Sequence, residues 1–124
     1  RAGTGADTLK AALYLASATV NAATTAYSAT GEVTGSGYSA GGITATNANQ
    51  PANSGTTAYW TPSASFTYTN VTLTTAFDAV LIYNSTQSNK AISVHTFGSQ
   101  TVTAGTFVLS MPTSDASTGL LRIA

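Results

Sequence analysis

The chain has 124 residues, a formal net charge of zero and no cysteine, and 6% of its residues are charged. The length suits one domain that buries roughly two thirds of the surface exposed by its unfolded form, and the missing cysteines exclude disulfide frameworks and thiolate metal sites. The basic residues Arg1, Lys10, Lys90 and Arg122 are scattered, so the basic footprint of a nucleic-acid-binding protein is missing.

A charged fraction of 6% compares with about 25% in an ordinary soluble domain. Thr, Ser, Ala, Gly and Asn take the place of the charges, and the solubilising surface is made of hydroxyls and amides. Such a surface suits a protein that packs against others, and equally a neutral β-domain. No apolar run approaches the roughly 20 residues that cross a bilayer, and no basic-then-apolar signal peptide is present, which predicts a soluble chain without a membrane partner.

In chain order, Arg1 to Ala6 is small and polar and is expected to be a flexible arm, with residues 7–124 forming a single β-domain. In DTLKAALYLA, Asp7 can cap a short helix, or Leu9, Ala11, Leu13 and Leu15 can line one strand face. Strict alternation favours the strand, with Lys10 and Tyr14 on its other face. SATVNAATTAYSATGEV reads as an excursion before a second strand near Glu32. In GSGYSAGGITAT, glycines 35, 37, 41 and 42 flank Tyr38. The cluster lacks the Lys and Ser/Thr of a phosphate-binding P-loop, so it predicts β-domain bends followed by a strand.

NANQPANSG is a polar loop around Asn49 and Pro51, the best place for a partner-binding tip. In TAYWTPSASFTYTNVTLT, Phe66 and Tyr68 have one parity and Val71 and Leu73 the other, so a bulge near Asn70 is needed to give them a common face. FDAVLIYN is apolar on both parities and predicts a central strand. KAISVHTFG and GTFVLSMP alternate and predict two further strands, with turns at Gly98 and at Ala104-Gly105. STGLLRIA predicts a last strand closing the sheet. About seven to nine short strands at this spacing predict an all-β antiparallel sandwich or jelly-roll-like barrel.

The chemistry-bearing residues are sparse. His95 is the single histidine and shares a strand face with Ser93, opposite Ile92 and Val94, where a structural imidazole is the default. The carboxylates Asp7, Glu32, Asp78 and Asp115 are isolated in sequence, and neither a glycosidase acid pair nor an Asp-x-Asp metal loop is visible. The expectation is no enzyme, no cofactor and no metal. Asn70-Val71-Thr72 and Asn84-Ser85-Thr86 match the N-glycosylation pattern, which arises by chance in a Thr-rich chain. Trp60 either plugs one end of the core or stacks on a sugar or partner, and the plug is the preferred reading.

ATTAYSATGEVTGSGYSAGGITAT, FTYTNVTL, AFDAVLIYN, KAISVHTFG, TVTAGTFVLSMP and GLLRIA together resemble small structural proteins of tailed bacteriophage virions, the kind found as head decoration, neck or tail proteins. The resemblance covers nearly the whole chain, except that a longer polar segment is expected before DTLKAALYL. It implies a virion location and carries no catalytic residue. The leading expectation is a capsid decoration (cement) protein on the capsid exterior, bound to the major capsid protein and neighbouring virion proteins. A homotrimer is expected by analogy with other decoration proteins. The alternative is a tail- or fibre-associated host-recognition module that binds a glycan. The candidate interface is Arg1 in the arm, Asn49 and Pro51 in the loop, and the aromatic pair Tyr59 and Trp60.

Overall fold

The β-branched and aromatic residues of the second half of the chain build one long hairpin, and everything else packs around it. The computed structural model describes residues 7–45, 51–112, 117, 118 and 120–123. Its strands are β1 (Leu9–Leu15), β2 (Ile43–Thr44), β3 (Ala52–Ser54), β4 (Thr57–Trp60), β5 (Phe66–Asn84), β6 (Lys90–Leu109) and β7 (Leu121–Ile123), with no helix among the described residues. They form two antiparallel sheets, ordered β2-β1-β5-β6 and β3-β4-β7. The fold is all-β and sandwich-like, as the alternation predicts. The expected arm, Arg1 to Ala6, lies outside the described residues.

The end of β5 is the central strand that FDAVLIYN predicts, lying between β1 and β6. Val80 and Ile82 face a large core with Leu9, Ala11, Leu13 and Trp60, while Ala79, Leu81 and Tyr83 face a smaller one with Ala12 and Tyr14. Phe77 has the parity of the second set but joins the first, because the pairing with β1 steps from Tyr14↔Ala79 to Leu15↔Phe77 and leaves one residue over on β5. At the other end of β5, Asn70 has φ 52 and the pairing steps from Tyr68↔Phe107 to Val71↔Gly105, which leaves one residue over on β5. This is the bulge that the parity conflict requires. Phe66, Tyr68, Val71 and Leu73 consequently share one core.

Gly98 and Ala104-Gly105 do not form chain reversals. β6 runs unbroken through both as a strand of 20 residues, and the two predicted strands are one. Yet the rings of Phe97 and Phe107 have centroids 5.6 Å apart, where a straight strand over ten residues would separate them by roughly 33 Å. The strand therefore bends sharply between them. Register shifts supply the bend, three of the five placing extra residues on β6 and two on β5, and bulges of this kind kink a strand without ending its ladder. The actual reversal follows Asn84, whose Oδ1 accepts the amides of Thr86 and Gln87 at 3.1 Å each, with Ser88 and Asn89 at φ 55 and 58.

The excursion from Ala16 contains turns and no second strand at Glu32; a lone bridge joins Glu32 to Tyr14. The chain then crosses to β5, where Ser36 bridges Thr72, and returns to β1 as β2. Gly37 (φ 80) and Gly42 (φ 78) are required on this path, since a Cβ would collide with the carbonyl oxygens of Asn70 and Ala11 respectively. The glycine cluster is thus a device for close backbone packing, as the bend reading predicts.

Two further expectations change. Part of the polar loop, Ala52–Ser54, is a strand paired with β4, imposed by its neighbour since ANS has little strand propensity of its own. The final strand closes a second sheet by pairing with β4 and does not join the sheet of the central hairpin.

Candidate functional site

Of the candidate interface residues, Arg1 and Asn49 lie outside the described residues. Pro51, Tyr59 and Trp60 line one cleft of about 280 Å³, together with Leu9, Leu121 and Ile123. The cleft opens where the β3-β4-β7 sheet meets the larger sheet. β4 positions its aromatics by pairing on both sides, with Tyr59 opposite Ala52 and Arg122 and Trp60 opposite Leu121. Trp60 is 5% exposed and belongs to the large core, so it is the plug. Ile123, at 67% exposure, stands at the mouth with its side chain in water. The walls are almost wholly apolar, and Asn84 is the polar residue among them.

A second cluster was not legible in the sequence. Glu32 is 7% exposed, and its Oε1 accepts the Tyr27 hydroxyl at 2.7 Å while its Oε2 accepts the Tyr38 hydroxyl and the Gly41 amide, each at 2.8 Å. Around it, the hydroxyls of Tyr14, Tyr68 and Tyr83 donate to the carbonyls of Ser28, Ala11 and Gly41 at 2.6, 2.8 and 2.7 Å. The Tyr27 ring stacks on Tyr83 with centroids 4.8 Å apart. Burial pushes all five phenols above their ordinary range, and the nearby Glu32 charge pushes in the same direction.

Both oxygens of Glu32 are engaged, and among the described residues no buried side-chain polar atom lacks a partner. A carboxylate held this way offsets its desolvation through charge-assisted hydrogen bonds and ties the excursion to the sheet. The tyrosines sit five residues before Glu32 and six after, a spacing with no strand or helix period, so no local signal announces the cluster.

His95 Nε2 lies 3.0 Å from Ser93 Oγ, and desolvation lowers the imidazole from its ordinary value. The contact resembles that of a base and a nucleophile, but a triad also needs a carboxylate to orient the imidazole. Glu32 is committed to the tyrosines, Asp7 accepts from Asn84 Nδ2 at 2.8 Å and Gln87 Nε2 at 3.3 Å, and the His95 ring has its hydrogen bond with Ser93 and not with Asp78. The amide of Asn84 in the second glycosylation pattern is likewise occupied, by Asp7 and by the turn. No group of three or more His, Cys, Asp or Glu side chains that could hold a metal occurs among the described residues. Comparison of the chain with protein-family models, curated proteins and solved structures finds no match.

Proposed function

We propose that this chain is a non-enzymatic structural protein of a phage virion that attaches to its neighbours through the apolar cleft, and more specifically a decoration protein on the outer surface of the major capsid protein lattice. The observation that carries the reading is the convergence of Pro51, Tyr59 and Trp60 on one apolar opening with Ile123 exposed at its mouth. Such an opening accepts an apolar side chain of a partner, and an attachment surface nearly free of charge is buried without the desolvation cost of unpaired ions. The resemblance to virion proteins supplies the partner class. A glycan-binding role is the weaker reading, because sugar stacking needs an open aromatic face, whereas Trp60 is 5% exposed and Tyr59 is half-buried.

Purified virions test the reading. Quantitative mass spectrometry is expected to find hundreds of copies per particle spread over the head, and particles assembled with Ile123→Asp are expected to carry about tenfold fewer. A few copies at one vertex would support the host-recognition role, and absence from particles would overturn the virion reading altogether.

A further inference from the structure

β6 lies at one edge of its sheet with β5 as its strand neighbour. The excursion covers the start of its other edge: Ala26 bridges Lys90, the Tyr27 amide donates to the Asn89 carbonyl, and the Ala91 amide donates to the Thr25 carbonyl, both at 2.9 Å. Beyond Ala91, no strand among the described residues runs along that edge. An open edge presents a row of backbone donors and acceptors, which soluble proteins usually blunt with charge, proline or bulges.

From Thr96 to Leu109, β6 carries no charged residue and no proline. Bulges interrupt its middle, but the last stretch is regular, with Phe107, Val108 and Leu109 opposite Tyr68, Thr67 and Phe66. Exposure alternates there, Thr106 and Val108 outward and Phe107 and Leu109 half-buried. Val108 is 49% exposed and, with Ile123, makes up the large exposed hydrophobics of the described residues.

We infer that the stretch from Thr106 to Leu109 pairs with the same stretch of a second copy of this chain, antiparallel about a two-fold axis, joining two sheets edge to edge. An antiparallel strand is complementary to its own two-fold image, so one open edge completes an isologous interface. Charge favours the twin as occupant: a charged edge sets like charges against each other on self-pairing, and this stretch has none. The side chains brought together on the exposed face are Thr106 and Val108, β-branched residues that pack well on a pleated surface. The inference does not depend on the virion reading.

Sedimentation equilibrium of the full chain over a concentration series tests it. The expected mass at high concentration is twice that of one chain, and Val108→Lys is expected to return it to that of one chain with an unchanged far-ultraviolet circular dichroism spectrum. Ile123→Lys, at the cleft, is expected to keep the doubled mass. A single-chain or tripled mass for the unaltered protein, a doubled mass that persists in Val108→Lys, or dissociation by Ile123→Lys alone would each overturn the inference. Hydrogen exchange of the unaltered protein gives a second readout that needs no folded variant. The amides of Thr106 to Leu109 are expected to exchange more slowly as concentration rises, and rates independent of concentration would count against the pairing.

Discussion

The Tyr38 hydroxyl donates to Glu32 Oε2 at 2.8 Å while accepting the amide of Leu13 in β1 at 3.0 Å. One phenol thus links the excursion, the buried carboxylate and the sheet. Removing the acceptor strands donors in a desolvated place, at about 1–3 kcal/mol for each one left unsatisfied. Glu32→Ala is therefore expected to lower unfolding stability by about 3 kcal/mol or more, and Glu32→Gln, which keeps one carbonyl acceptor, by less. Urea denaturation of the two variants checks this, and equal, near-zero losses would remove the cluster from any structural role.

The same cluster sets the alkaline limit. Burial raises Tyr14, Tyr27, Tyr38, Tyr68 and Tyr83 above their ordinary value of 10. Below pH 10 the phenols are protonated in the folded and unfolded states alike, and their contribution is complete. Above it the unfolded chain releases protons that the folded one retains, so stability falls as pH rises through 10 toward the folded values. Tyrosinate absorbance and circular dichroism followed together should show these phenols ionising only as the fold is lost.

His95 acts at the acid end. Desolvation lowers its pKa from the ordinary 6.5, so above pH 6.5 both states are neutral and stability is unaffected. As pH drops below 6.5 the unfolded chain takes up a proton that the folded one resists, and stability declines until the folded value is passed. His95→Gln should remove this part of the pH dependence between neutral and mildly acidic buffer, measured as the difference in urea midpoint.

The bulges make a test of backbone strain. Ala104 adopts φ 46, a left-handed conformation that costs an ordinary residue roughly 1–2 kcal/mol. Its amide donates to Thr72 Oγ1 at 3.1 Å, a bond that glycine keeps. Ala104→Gly is expected to stabilise the fold by about 1 kcal/mol, whereas Asn70→Val, which puts a β-branched residue at φ 52, should destabilise it. Thermal unfolding midpoints moving in opposite directions are the expected result.

Leu81 and Ile82 are both fully buried but face different cores. Truncation of either to Ala is expected to cost about 2–5 kcal/mol through the cavity left behind. A much smaller loss at Leu81 would mean that the core around Ala12 and Tyr14 is loosely packed, and equilibrium unfolding of the two variants decides it.

The class of fold, β1, the central strand and the Asn70 bulge were all legible in the sequence, because each rests on a two-residue period or on a parity conflict within a few neighbouring positions. Pro51, Tyr59 and Trp60 could be picked out as unusual side chains in the same way. Their convergence could not, since it depends on Leu121 and Ile123 arriving from the far end of the chain to pair with β4. Gly98 and Ala104-Gly105 carry the composition of turns, and whether such residues reverse a chain or bend it depends on whether a partner strand continues opposite. β5 does continue, so they bend it. Glu32 is the extreme case: its partners are three hydroxyl and amide donors gathered by irregular chain paths, and no local pattern encodes a contact made in that way. Periodic burial is a local property that a sequence displays directly, whereas ladder continuity, sheet membership and a shared buried acceptor are settled only when distant segments compete for the same backbone edges and the same core.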